Sequence, residues 1–166
     1  ALHSALAVKC GLISFHAPMW NGALADPNVP SFTKNSFVRT VTEAKAPGSI
    51  VAGYTGKTVS ILRSGIAEGR LVGGNLSLIC ASLGTPFAPS FKNKILFFED
   101  ISEKPGRVDR MLTQLWHAGV FNQVAGVAVG VNKDCDEPDK KNSREFFPTG
   151  ADVVRERLAA VRVPVV

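Results

Sequence analysis

No hydrophobic run in this sequence approaches the roughly 20 residues that span a bilayer. The opening stretch, ALHSALAVKCGLISF, also lacks the charge pattern of a signal peptide, so no membrane partner is expected. Cysteine is scarce: Cys10, Cys80 and Cys135 are widely spaced, odd in number and form no C-x-x-C pair. That usage excludes a disulfide framework and a zinc site, and it fits a reducing cytoplasm. The formal net charge is +5, yet there is no basic run and no basic stripe interleaved with aromatics, so nucleic acid is not an expected partner. The densest charge cluster, Asp134 to Lys141, mixes both signs and reads as a solvated loop. Internal repeats and low-complexity segments are missing as well. What is present is 166 residues, 45% hydrophobic and 20% charged, enough for one domain, or one domain plus a remnant of another.

The familiar catalytic motifs fail in turn. GYTGKT, residues 53–58, imitates a phosphate-binding loop, but that pattern needs a glycine where Val51 stands. It reads as a turn opening a strand. No G-x-S-x-G elbow occurs. Ser14 and His16 lie two apart on an expected strand, hence on one face, but no acid is placed to orient the imidazole, and His16 reads as a packed residue near a loop. His117, late in a helix beside Trp116, reads as a cation at a helix C-terminus. Trp20 suits either a ligand-stacking ring or a core plug.

Along the chain, residues 1–9 have helical spacing, Gly11 ends them, and LISFH (12–16) reads as a short strand. Residues 18–30, rich in Pro, Gly and Asn, are the best domain boundary. Ser31 can cap a helix bearing Phe32, Phe37, Val38 and Val41. KTVSILRSGIAEGRLVGG (57–74) reads as a hairpin turning near Ser64-Gly65. Asn75 and Gly84 mark the ends of a short helix. A strand over 94–98 then precedes a helix begun by Pro105, with Val108, Met111, Leu112 and Leu115 on one face and Gly119 as its stop. QVAGVAVGV (123–131) reads as a buried strand beside 94–98. A helix over about 150–160 leads into a strand at VPVV. Strand, helix, strand, helix, strand is an α/β layout.

The chemistry concentrates where Ile95-Leu96-Phe97-Phe98 ends in Glu99 and Asp100, with Glu103 close behind. In α/β sheets ligands gather outside the carboxyl ends of the strands. Like charges clustered there need compensation from a helix N-terminus, an arginine or an imidazolium. A purely structural cluster paired with Arg107 or Arg110 accounts for the same residues.

EGRLVGGNLSLICASLGTP, ILFFEDISEKPGRVDRMLTQLWHAGVF and the earlier GLISFHAPM, in this order and spacing, resemble the LD-carboxypeptidases, peptidase family S66. Two departures touch no chemical residue: Ala17 replaces the usual glycine of F-H-G-P, and Gly106 stands where the family often has an aromatic. The resemblance implies a swivelling β/β/α C-terminal domain over 31–166, truncated at its end, a linker over 18–30, and a remnant of the N-terminal nucleophile domain over 1–17. It implies a Ser-Glu-His triad split between two domains, with Glu99 as the acid. The serine of a G-x-S-D turn would precede Ala1 and the histidine would follow Val166, so the fragment alone is expected to be inactive. His3, Ser4, Ser14 and His16 do not match the catalytic positions. Asn75 and Glu103 align with ligand-contacting positions, Glu103 as partner of a diaminopimelate ammonium, with helix N-cap and helix-dipole acid as their structural alternatives. The implied substrate is murein tetrapeptide, cut at the L–D bond that releases terminal D-alanine during cell-wall recycling. A peptide-nucleotide antibiotic, favouring an aromatic near Trp20, and a non-catalytic binding module are the alternatives. The resemblance implies no metal or other cofactor, a cytoplasmic location and, as is frequent in the family, a homodimer.

Overall fold

The run Ile95-Leu96-Phe97-Phe98 is apolar at every position, the pattern of a strand covered on both faces. It becomes the centre of a parallel sheet in the computed structural model, which describes residues 2–46, 48–49, 59–136 and 148–166. The chain divides into two units, Ala1–Ser14 with Val59–Val166, and Phe15–Thr58. The smaller unit holds helix α2 (Ser31–Thr42) after a series of turns, and its Trp20 ring meets Phe37 at 6.4 Å between centroids. The larger begins with α1 (Leu2–Cys10), closed by Gly11 at φ 63°.

The rest of the larger unit alternates strand and helix: β1 (Leu71–Asn75), α3 (Leu76–Ser82), β2 (Ile95–Ile101), α4 (Pro105–His117), β3 (Gly126–Lys133) and α5 (Gly150–Leu158). The sheet order is β1-β2-β3 and both pairings are parallel, because a helix between each pair returns the chain to the same edge. The segment at VPVV continues the pattern. Val165 bridges Val127 in parallel, Val129 N–H donates to Val166 O at 2.7 Å, and Val166 N–H to Val127 O at 3.0 Å.

Leu96 and Phe98 are fully buried, as are Val108, Leu112 and Leu115 of α4, with Leu76 of α3 and Leu158 of α5 beside them in one core. Each such side chain contributes about 1.5–3 kcal/mol by leaving water. Pro105 opens α4 at its first turn, and Gly119, at φ 69°, ends it by entering a left-handed conformation that disfavours a Cβ. Trp116 Nε1–H donates to Arg157 O at 2.9 Å, and Arg157 pairs with Asp109, so α4 and α5 are joined by polar links above the shared apolar contact. Thr149 and Asp152 cap α5 reciprocally.

Three local expectations change. The hairpin does not form among the described residues. Leu62 and Arg63 N–H both donate to Val165 O, at 3.0 and 3.1 Å, and Val165 N–H donates back to Arg63 O. The other arm, 71–75, pairs in parallel with β2. Each arm thus meets a strand distant in sequence, since an apolar pattern records that a strand is covered and not by which neighbour. Residues 12–16 form no strand, having no sheet partner among the described residues, and leave Leu12, Ile13 and Phe15 exposed. Ser31 is the first helical residue and not the cap. Pro30 takes that place, its carbonyl accepting from Thr33 and Lys34 N–H. The start of the expected hairpin, residues 57–58, and all of GYTGKT lie outside the described residues.

Candidate active site

β1 ends in Gly73-Gly74-Asn75, and the two glycines are there for backbone reasons. Gly73 has φ 134°, and a Cβ on it would stand 1.7 Å from Phe97 O, so only glycine lets β1 lie this close to β2. Asn75 follows as the cap of α3: its Oδ1 accepts from Leu78 N–H at 3.2 Å and from Ser77 Oγ–H at 2.6 Å. Its Nδ2 donates to Asp100 Oδ1 at 2.8 Å.

Asp100 is 2% exposed. It accepts from Asn75, from Ser77 N–H at 3.0 Å and from its neighbour Ile101 N–H at 2.8 Å. Three donors on one buried carboxylate make it a strut between the end of β2 and the first turn of α3. The sequence grouped Asp100 with its acidic neighbours and gave no sign of this role, because two of its three donors come from residues 25 and 23 positions earlier.

Glu99 belongs to a different environment. Successive strand residues face opposite sides, so Glu99 shares the face of Phe97 while Asp100 shares that of Phe98. Two adjacent carboxylates are thereby kept apart. Opposite Glu99 the β2–β3 ladder breaks register: Phe98 aligns with Val129 but Asp100 with Asn132, leaving an extra residue in β3. This is a bulge, a device that turns side chains and often lies beside active sites. Gly130 sits inside it, where a Cβ would come within 2.9 Å of Glu99 Cβ. Glu99 is half-buried at this point and its Cα is in register with that of Asn75. Asn132 Oδ1, next along the bulged strand, is buried with no hydrogen-bond partner among the described residues.

Glu103 stands just ahead of α4, after a left-handed Ser102 (φ 59°) whose N–H donates to Lys133 O. Its carboxylate pairs with Arg107 at 3.3 Å, one of the two structural pairings open to it from sequence. Beside it lies a groove of about 410 Å³ lined by Ser77, Glu103, Arg107, Arg110, Met111 and Gln114. Both thiols nearby, Cys80 and Cys135, are buried. Burial, reinforced by the charge of Asp100, pushes Cys80 up to about 11, and burial likewise raises Cys135.

The residues set aside on sequence grounds stay apart from these groups along the chain. His117 is exposed in the last turn of α4. His16 is exposed, Ser14 and His16 share no strand, and His3 and Ser4 lie on α1. Trp20 is 77% exposed, which removes the core-plug reading within its unit. Among the described residues no cluster of three His, Cys, Asp or Glu side chains could hold a metal ion.

Residues 68–166 match the LD-carboxypeptidase C-terminal domain. A Bacillus subtilis protein named "Probable murein peptide carboxypeptidase" is 40% identical over 130 residues, covering 77% of this chain and 39% of its own length. The microcin C7 self-immunity protein MccF of Escherichia coli is 26% identical over 160 residues, covering 81% of this chain and 46% of that protein. The crystal structure of muramoyltetrapeptide carboxypeptidase from Oxalobacter formigenes superposes with a TM-score of 0.75 at 29% identity, covering 99% of this chain and 53% of that one. The chain therefore spans about half the length of the relatives it matches.

Proposed function

The chain belongs to the LD-carboxypeptidase family, and from that premise we propose that it supplies the acid and part of the substrate site of a serine carboxypeptidase acting on murein tetrapeptide. The observation that carries this reading is Glu99: a half-buried carboxylate near the carboxyl end of the central strand, held beside a bulge and facing away from the fully bonded Asp100. An acid so placed suits the third member of a triad. Its carboxylate accepts from the imidazole Nδ1–H, fixes the tautomer and stabilises the imidazolium that forms when the histidine takes the serine proton. The serine attacks the carbonyl of the L–D bond, the amine of D-alanine leaves with that proton, and water releases the acyl group in a second step. Serine and histidine are assigned to flanking parts of a longer protein, in keeping with the length of the relatives.

Domain limits follow the same reading: a nucleophile-domain remnant over 1–17, a linker over 18–30, and the C-terminal domain from 31. Glu103 is assigned to a substrate ammonium. Asn75 is assigned to the substrate through the second N–H of Nδ2, for which no partner appears among the described residues; its other groups hold α3 and Asp100. A cytoplasmic homodimer completes the proposal, and no helix among the described residues is long and apolar enough to cross a membrane. The antibiotic-immunity alternative rests on the similarity to MccF.

The test is release of D-alanine from murein tetrapeptide by the longer protein, set beside cleavage of a peptide-nucleotide conjugate, with the present chain alone as a third sample. We expect the tetrapeptide to be cut faster and the chain alone to lose activity by about a millionfold, as removal of a nucleophile or base from such a unit does. Faster cleavage of the conjugate would transfer the assignment to immunity. Cleavage of neither would leave a binding module, and turnover by the chain alone would refute the split triad.

A further inference from the structure

Gly130 has no backbone reason to be a glycine. Its φ lies outside the left-handed region, so an L side chain could adopt the same conformation. What bars a side chain is the neighbour across the ladder. A Cβ at this position would come within 2.9 Å of Glu99 Cβ and within 3.1 Å of Phe97 Cε2 and Cζ. Phe97 and Glu99 lie two apart on β2, hence on one face, and the ring edge of one and the stem of the other converge on the point that a side chain of residue 130 would occupy. Glu99 is thus set against bare backbone on the next strand, with an aromatic ring beside it.

The bulge creates this contact and the sheet holds it. Phe98 aligns with Val129 and Asp100 with Asn132, so Gly130 and Val131 together stand opposite Glu99. On its far side β3 is tied to the segment at VPVV: Val127 N–H donates to Pro164 O at 2.9 Å and Val129 N–H to Val166 O at 2.7 Å. β3 therefore cannot retreat from Glu99 without breaking backbone hydrogen bonds on one edge or the other. Nor can the Cβ of Glu99 rotate aside, since the backbone fixes its place. A methyl group added at residue 130 has to be accommodated by moving the stem of Glu99, and the two further bonds to the carboxylate enlarge that movement.

We propose that Gly130 and Phe97 are positioning residues for Glu99: the missing side chain of one and the ring of the other form the seat that sets the direction in which the carboxylate is presented. The inference rests on the carboxypeptidase reading above and adds the groups through which the acid is held. Neither residue touches the reacting atoms. An acid that works by orienting an imidazole is sensitive to such a seat, because a misplacement on the order of 1 Å can cost about a hundredfold in rate.

The test is a pair of double-mutant cycles in the longer protein, read as D-alanine release from murein tetrapeptide. Gly130→Ala should lower kcat by about a hundredfold with KM within about twofold of wild type. Phe97→Leu, which keeps an apolar side chain but removes the ring edge, should lower kcat by about tenfold in the same way. In the Glu99→Gln background either substitution should lower kcat by less than about threefold, because the group it acts through is already lost. A merely structural role would instead give costs that multiply with that of Glu99→Gln. Multiplying costs, or a wild-type kcat in Gly130→Ala, would overturn the inference and leave the carboxypeptidase reading standing. If Gly130→Ala does not fold, the Phe97→Leu cycle decides alone: a cost that vanishes with Glu99→Gln supports the seat, and an independent cost overturns it. Full activity in Glu99→Gln, or no release by the wild type, would remove both readings together.

Discussion

At the scale of single residues, the protein separates two acids that stand side by side in the chain. Asp100 is buried and takes three hydrogen bonds, so loss of its carboxylate leaves Asn75 Nδ2 and two backbone N–H groups without their acceptor. Asp100→Ala should therefore cost about 3 kcal/mol, the upper range for breaking a buried network, seen as a lowered urea midpoint at unchanged slope. An unchanged midpoint would mean that water replaces the carboxylate at no cost and that Asp100 is not a strut. The sequence shows the E-D pair and its place at a strand end, and Glu99 could be singled out through the family resemblance. It could not show which acid would be consumed by structure, because the deciding donors, Asn75 and Ser77, are brought in by strand pairing. Arg107 as the partner of Glu103 was legible, since residues four apart meet on a helix.

At the scale of elements, the junction of β1 with α3 sets the position of the site. Gly73 lies at φ 134° with Phe97 O where its Cβ would be, so Gly73→Ala forces β1 away from β2 and carries Asn75 with it. The expected loss is about 3 kcal/mol or more, because the obstacle is backbone and cannot rotate aside. Thermal unfolding measures it, and a variant that melts within a degree or two of wild type would show the strands to be less tightly placed than described. Most elements here could be read directly. α4 has its apolar face at helical spacing with Pro105 and Gly119 at its limits, and α3 has its cap in Asn75. The hairpin failed because its two arms found distant partners, Val165 and β2, that local alternation does not encode. The bulge at Glu99 was illegible for a related reason: Gly130 signals a close approach only once its neighbour across the ladder is known.

At the scale of the whole molecule, the chain that carries the sheet, the paired helices and the acidic strand end spans about half the length of the relatives it matches. β2, α4 and α5 share one hydrophobic core, and under the proposed function Glu99, on that frame, orients a histidine supplied by the longer protein. The direct test is Glu99→Gln in the longer protein, assayed for D-alanine release from murein tetrapeptide. The substitution keeps size and hydrogen-bonding capacity but removes the charge that steadies an imidazolium. It should lower kcat by about 10³–10⁴, the scale of losing a triad acid, while KM and the urea midpoint stay close to wild type. Full activity in Glu99→Gln would make Glu99 structural and contradict the account at its centre.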